Sequence, residues 1–136
     1  MQQLTSADEE LRRAASDVLV RAHDARQHRV AAAARGTSGA IYTGLSLSTA
    51  RVNVCAEPSA IANARIAGED AVETIVAVGL DPADVPIVIN PCGVCRELVP
   101  NFGTSIRVIV SDGGEVGVVT SADLLPIPWV RARSYD

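Results

Sequence analysis

Three cysteines constrain this chain more than any other feature of its sequence. Cys55 stands in the sequence Cys-Ala-Glu, and Cys92 and Cys95 stand in the sequence Pro-Cys-Gly-Val-Cys-Arg. The 136 residues contain no other cysteine. Zinc binds thiolates at the corners of a tetrahedron, and catalytic zinc sites use three protein ligands so that the fourth corner stays open. The pattern therefore predicts that the three cysteines bind one zinc ion.

Glu57 follows the first cysteine by two residues. A carboxylate in this place can lie beside the metal without binding it, where it can act as a general base and then as a general acid. Pro58 comes next, and proline is tolerated in a first helical turn. The segment therefore predicts that a helix begins here, with Cys55 and Glu57 at its N-terminus. The alternative is that Glu57 only interacts with the helix dipole.

Other roles for the cysteines stay open. A structural zinc site needs a fourth ligand, and the candidates are His23 and His28, which lie far upstream. The Cys92-x-x-Cys95 spacing alone is also typical of thioredoxin-like redox sites, although that role leaves Cys55 unexplained. Free cysteines are, finally, common in protein cores without any ligand.

Length and composition limit the possible partners. A chain of 136 residues with 48% hydrophobic residues fits one domain, residues 1–136, with a core of its own. A net charge of −4 disfavours nucleic acid as a partner. We also expect no membrane association, since no apolar stretch is long enough to span a bilayer. No signal peptide is recognisable, and three thiols without a disulfide pattern favour the cytoplasm.

The remaining sequence predicts a layered α/β fold. An amphipathic helix capped at Thr5 or Ser6 is followed by strands and helices in the order β-β-α-β-α-β-β. This order predicts a five-stranded mixed sheet with helices packed on its faces. The helices are expected at residues 6–23, 59–68 and 92–99. The segments with strand character are residues 30–34, 40–47, 74–78, 86–90, 106–110 and 116–120.

The combination of Cys-Ala-Glu with Pro-Cys-Gly-Val-Cys-Arg resembles the signature of zinc nucleobase deaminases. Over about residues 30–129 the chain resembles the cytidine deaminase superfamily and, within it, the small blasticidin-S deaminase-like branch. The resemblance extends to Leu124-Leu125-Pro126 near the end of the chain. It implies an α/β three-layer sandwich of the cytidine deaminase type, one Zn²⁺ per subunit, and a homotetramer whose sites are completed across subunit contacts.

The resemblance also implies roles for individual residues. Glu57 would carry protons, and Ala56 would lie against the substrate. In cytidine deaminases a Gly-x-Asn-x-Glu motif contacts the ribose, and the corresponding residues here are Ser46 and Ser48, whose shorter side chains disfavour ordinary ribose recognition. Two aromatic residues, Tyr42 and Trp129, are candidates to cover the base, with core packing as the alternative for each.

The charges around the metal suggest a role for Arg96. Three thiolates place negative charge on a zinc site, and a neighbouring guanidinium could offset it. Arg96 directly follows Cys95 in sequence. We therefore expect Arg96 to support the site by donating a hydrogen bond to the Cys95 sulfur.

Two classes of function follow from these residues. The first is a zinc hydrolase that deaminates a cytosine-type nucleoside or analogue, such as cytidine, deoxycytidine or a blasticidin S-like compound, or else another cyclic amidine. The second is a non-catalytic relative that keeps zinc for stability and binds a nucleoside. An intact Glu57 favours the first, because a binding protein needs no proton carrier.

Overall fold

The computed structural model describes residues 1–135, which form three α-helices and eight β-strands. Short 3₁₀ turns follow the third helix and the last strand. No helix within residues 1–135 has the length and apolar character needed to cross a membrane. The helices are α1 (Ser6–Ala22), α2 (Ala56–Ile66) and α3 (Gly93–Leu98). The strands are β1 (Val30–Gly36), β2 (Ile41–Leu45), β3 (Leu47–Ser48), β4 (Asn53–Val54), β5 (Val72–Leu80), β6 (Pro86–Ile89), β7 (Arg107–Asp112) and β8 (Glu115–Thr120).

The main sheet has six strands, one more than the sequence predicted. Its order is β2-β1-β5-β7-β8, and β6 also pairs with β5. The first part of β5 pairs with β7 in parallel, and its second part pairs with β6 in antiparallel fashion. The strand predicted at residues 86–90 is present as β6, but the predicted order of five strands left it out. In the structure, β6 and β7 pair in succession with one edge of β5. The prediction of a mixed sheet is confirmed.

Helices cover both faces of this sheet, which confirms the three-layer architecture. Ala31 and Ala33 of β1 belong to the core cluster that contains α1, whereas Ala32 and Ala34 belong to the cluster with α2 and α3. Alternate residues of a strand point to opposite faces. The alanine-rich β1 has low intrinsic strand propensity, but all four side chains are fully buried. Their small size allows helices to approach the strand from both sides.

The N-terminal helix is tied to the sheet by one buried carboxylate. Asp8 caps α1 reciprocally with Thr5 and is 2% exposed. Both of its carboxylate oxygens accept hydrogen bonds from Arg107 of β7, at 2.6 and 2.7 Å. The hydrogen bonds from Arg107 lower the pKa of Asp8, against the opposing effect of burial. This ion pair fixes α1 on the face of the sheet opposite α2.

A glycine in β2 sets how closely α2 approaches the sheet. A Cβ atom on Gly44 would lie against the backbone N of Ala60 and only 2.5 Å from the carbonyl oxygen of Ala56. The neighbouring backbone of β2 is also hydrogen-bonded to α2, since Asn63 Nδ2 donates to the Thr43 carbonyl at 2.7 Å. Because α2 begins next to Cys55 and contains Glu57, Gly44 controls where both side chains lie.

Replacing Gly44 with alanine is expected to destabilise the fold by about 3 kcal/mol, because the clash involves helix backbone that cannot rotate away. Thermal unfolding measures this loss, and zinc content should fall with it. Gly79→Ala is the matched control in β5, since its Cβ would make only ordinary contacts, the nearest at 3.6 Å from Ile89. Equal stability of the two variants would contradict the close packing of α2 on β2.

Candidate metal centre

The two helices α2 and α3 begin at the same place and bring the three cysteines together. Cys55 is the N-cap residue of α2, and Cys92 is the N-cap residue of α3. Cys95 lies one turn into α3 and is completely buried. The three sulfur atoms all lie within 4.8 Å of one another, and those of Cys55 and Cys92 are 3.2 Å apart. One ion can therefore contact all three sulfurs.

Burial and mutual proximity decide how these thiols ionise. Burial, together with the negative charge of Glu57, raises the pKa of Cys95. Burial and the hydrogen bond with Cys92 likewise raise the pKa of Cys55. Burial also acts to raise the pKa of Cys92, but the N–H of Cys95 outweighs it, together with the neighbouring thiols and the N–H of Val94, and the net pKa is lowered. Three thiolates beside a buried carboxylate therefore need a cation to balance their charge.

Glu57 lies in the first turn of α2, next to the sulfur cluster. It is 5% exposed, which is unusual for a carboxylate without an arginine partner. Burial raises its pKa, while hydrogen bonds from its own N–H and from the Cys95 thiol act in the opposite direction. A carboxyl group with a raised pKa holds a proton more readily than an ordinary glutamate, as a general acid requires. The structure thus places the Glu57 carboxyl group beside the cluster, where the sequence predicted it.

A groove of about 250 Å³ leads from solvent to Cys55, Cys92 and Glu57. Ala56 lines it and is completely buried, so its backbone forms part of the floor. The groove is large enough for a small organic ring next to the sulfur cluster. It connects the predicted metal ligands with residues of β3 and β4.

Ser46 and Ser48 lie on the wall of this groove, but both hydroxyls already have partners. The hydroxyl oxygen of Ser46 accepts hydrogen bonds from the N–H groups of Arg29 and Val30, at 3.1 and 3.0 Å. The hydroxyl of Ser48 donates to Oδ1 of Asn53 at 2.6 Å. The hydrogen bonds of both serines therefore help to fix the shape of the groove that they line.

Three other residues that the sequence predicted at the site have different partners within the chain. The Tyr42 hydroxyl donates to Glu69 at 2.6 Å, and Tyr42 is not among the residues that line the groove. Trp129 is 72% exposed, which rules out core packing within this chain, and its ring stacks with the Arg131 guanidinium at 5.6 Å. Nε of Arg96 donates to the carbonyl of Pro91 at 2.9 Å and not to the Cys95 sulfur. Arg96 instead holds the turn that precedes the second pair of cysteines.

Three polar residues that line the groove were not predicted from the sequence: Arg29, Asn53 and Asn90. Asn53 and Asn90 each stand two residues before a cysteine. Asn53 is the first residue of β4, and Asn90 directly follows β6. A period of two would have placed their side chains on the same side as Cys55 and Cys92. Asn90 uses its amide to bind both the N–H and the carbonyl of Ser111, each at 2.8 Å, so it joins β6 to β7.

The cluster meets the requirements of zinc. Tetrahedral coordination with Zn–S bonds of about 2.3 Å separates neighbouring sulfurs by ~3.8 Å, which is compatible with sulfurs that all lie within 4.8 Å of one another. Within residues 1–135, no further His, Cys, Asp or Glu belongs to this group of metal-ligating atoms. Three sulfur ligands and an adjacent carboxylate that is not one of them are typical of a catalytic zinc site.

Comparison with known proteins agrees with the assignment of a catalytic zinc site. The family model described as the cytidine and deoxycytidylate deaminase zinc-binding region matches residues 5–111. A blasticidin-S deaminase of Bacillus cereus is 32% identical over 134 residues, which cover 94% of this chain and 96% of the relative. The chain therefore belongs to the cytidine and deoxycytidylate deaminase family, and it is a zinc-dependent enzyme that hydrolyses C–N bonds.

Solved structures show the same fold. The cytidine deaminase of Burkholderia pseudomallei superposes with a TM-score of 0.73 at 27% identity, covering 93% of this chain and all of the other. The cytidine deaminase of Bacillus anthracis superposes with a TM-score of 0.75, covering 89% of this chain and 88% of the other. At 21% identity, this second likeness concerns the fold alone.

Proposed function

We propose that this enzyme removes the amino group of a cytosine-type nucleoside or a nucleoside analogue, with blasticidin S as one candidate, and releases ammonia. The observation that carries the proposal is the buried Glu57 beside three clustered thiols at the end of an open groove. A structural metal site would need neither the open groove nor the carboxylate.

Each residue of the centre has a proposed role. Cys55, Cys92 and Cys95 would hold the zinc, which when bound lowers the pKa of water and so supplies a nucleophile near neutral pH. Glu57 would take a proton from the water whose oxygen bonds to the amino-bearing ring carbon, and would deliver that proton to the ring nitrogen of the substrate. As the C–N bond breaks, Glu57 helps to protonate the amino group that leaves as ammonia. Ala56 supports the substrate from the floor of the groove.

Ser46 and Ser48 support a substrate whose sugar differs from ordinary ribose. They stand where cytidine deaminases carry longer amide and carboxylate side chains, and their hydroxyls already have partners inside the protein. The 32% identity with a blasticidin-S deaminase points in the same direction. We therefore expect a cytosine nucleoside with a modified sugar to be a better substrate than cytidine.

A substrate panel tests this function. Protein containing one zinc per chain would be mixed with cytosine, cytidine, deoxycytidine, blasticidin S and other cyclic amidines, while ammonia release and ultraviolet absorbance are followed. We expect ammonia from at least one cytosine compound, with a higher kcat/KM for a modified sugar. Zinc-loaded protein that releases no ammonia from any of these compounds would contradict the proposal.

The remaining expectations concern the whole molecule. We propose that residues 1–136 act as one cytoplasmic domain that assembles into a homotetramer, with the tail around Trp129 placed near the site of a neighbouring subunit. Exposed apolar side chains support an assembly. They include Leu47, Val52, Val54, Ile127, Trp129 and Val130. Light scattering at micromolar concentration tests this, and a monomeric mass would contradict it.

A further inference from the structure

The clustered cysteines come from two separate parts of the chain. Cys55 lies at the start of α2, and this helix packs closely on β2 at Gly44. Cys92 and Cys95 lie at the start of α3, which has only six residues. A helix this short is not stable on its own in water. The positions of Cys92 and Cys95 therefore depend on how the chain is held just before α3.

The strand β6 leads into α3 and lies beside β7. Its main chain pairs with residues 77–80 of β5. Within residues 1–135, the main chain of β6 pairs with β5 and not with β7. Pro91 follows the strand and has no N–H group with which to extend a ladder. Main-chain pairing alone therefore leaves the end of β6 unattached on the side of β7.

The side chain of Asn90 takes the place of the missing pairing. Its Nδ2 donates to the carbonyl of Ser111 in β7, and its Oδ1 accepts the N–H of Ser111, each at 2.8 Å. A carboxamide presents a donor and an acceptor side by side, as the main chain of a neighbouring strand does. The amide orientation is fixed, because the N–H of Ser111 can only donate and its carbonyl can only accept. β6 is thus attached to β7 two residues before Cys92.

The other hydrogen bonds of this segment stay within it. Nε of Arg96 donates to the carbonyl of Pro91 at 2.9 Å. Nδ2 of Asn101 donates to two carbonyls in the last turn of α3, at 3.0 and 3.2 Å. Both contacts would move together with α3 if the helix shifted. The side-chain hydrogen bonds of Asn90, in contrast, connect the start of α3 to the sheet.

From this arrangement we infer that Asn90 is a positioning residue of the metal centre. By attaching the end of β6 to β7, it sets how far the sulfurs of Cys92 and Cys95 lie from the sulfur of Cys55. It acts through these ligands and needs no contact with the metal or the substrate. The inference rests on the proposed function for the assignment of the three cysteines as zinc ligands.

Metal binding by Asn90→Ala tests the inference. The affinity of the metal-free full chain for zinc would be measured by competition with a coloured chelator, below the thermal midpoint of each protein. We expect Asn90→Ala to bind zinc about tenfold more weakly than the wild type, the lower end of the range for a group that supports a metal ligand. The lower end applies because Asn90 is exposed, and water competes for its hydrogen bonds.

Cobalt(II) bound in place of zinc gives a second measurement. Its visible absorption depends on the number and geometry of the sulfur ligands. We expect the bands to shift and weaken in Asn90→Ala, because Cys92 and Cys95 would no longer be held at one distance from Cys55. A residue that only stabilises the fold would not change this spectrum in protein that is fully folded.

Asn101→Ala is the matched control. It makes the same substitution at an exposed asparagine and also removes two hydrogen bonds, at the end of α3 that is away from the cysteines. Zinc affinity and the cobalt spectrum should be unchanged in this control. A lower thermal midpoint of Asn90→Ala with unchanged zinc affinity and cobalt spectrum would overturn the inference. Equal effects of the two substitutions on metal binding would also overturn it.

The wild type separates this inference from the proposed function. Wild-type protein whose bound cobalt shows no sulfur-to-metal absorption would contradict the three-cysteine ligand set, and the role of Asn90 would fall with it. Sulfur-bound cobalt in the wild type and an unchanged Asn90→Ala would overturn the role of Asn90 alone. Weaker zinc binding by Asn90→Ala, without ammonia from any cytosine compound in the wild type, would support this role and contradict the deaminase proposal.

Discussion

Glu57→Gln is expected to lower kcat by roughly 10³- to 10⁴-fold while one zinc per chain stays bound. Glutamine has the same shape but cannot carry a proton, so the upper part of the usual contribution of general acid-base catalysis is lost. In the proposed mechanism, Glu57 moves protons both before and after the C–N bond breaks. We therefore expect a large effect on kcat. Steady-state ammonia release and zinc analysis of the same preparation measure it.

The fold should tolerate this change. Glu57 is almost fully buried, and its pKa is raised by burial, so a neutral amide removes the cost of burying a charge. We therefore expect the thermal midpoint to stay the same or to rise. Glu97→Gln is the matched control, because Glu97 is an exposed glutamate in α3. Normal turnover of Glu57→Gln with zinc bound would rule out Glu57 as the proton carrier.

Local signals in the sequence predicted the elements that carry the site. The capping residue Thr5, the alternation of apolar residues and the proline after Glu57 place helices and strands close to where they lie in the structure. Each of these signals depends on neighbours within a few residues. The strand at residues 86–90 was predicted, but its place in the sheet was not, because the sharing of one edge of β5 by β6 and β7 is a tertiary arrangement that no local pattern records.

The difference between local signals and tertiary contacts also explains which side-chain positions around the metal could be predicted. Cys55, Cys92 and Cys95 were predicted because zinc restricts both the type and the number of its ligands. Arg96 was expected to contact sulfur because of its position in sequence, but its side chain reaches back to Pro91 along the turn. The contact between Tyr42 and Glu69 joins residues 27 positions apart, and only the folded chain brings them together.

The groove is the part of the site that is hardest to predict from the sequence. Asn53 lines the groove from β4 and Arg29 lines it from the segment before β1, and neither belongs to a recognisable motif. Ser46, which was predicted to contact the substrate, lies on the wall of the groove, and its hydroxyl binds the N–H groups of Arg29 and Val30. Ligand specificity therefore depends on which polar atoms remain without a partner after folding. The sequence alone does not identify these atoms.

The second large effect is expected for Cys95→Ser, which should remove zinc and all measurable turnover. Removing a residue that merely supports a ligand costs about 10- to 100-fold in metal affinity, and removing a ligand itself should cost more. Cys95 is the most buried of the three cysteines, so a serine there leaves a hard oxygen donor in a site built from soft sulfurs. Zinc content after dialysis and ammonia release measure the two losses together.

Loss of the metal should lower the free energy of unfolding, because zinc that binds only the folded state adds its binding free energy to that of folding. Treating the wild type with a strong chelator should therefore lower its thermal midpoint to about that of Cys95→Ser, and added zinc should restore only the wild type. Val94→Ser is the matched control, since Val94 adjoins the same ligand in α3 and is 67% exposed. It should retain zinc and activity. A Cys95→Ser protein with one zinc per chain and normal turnover would show that the metal is not held by the three cysteines together.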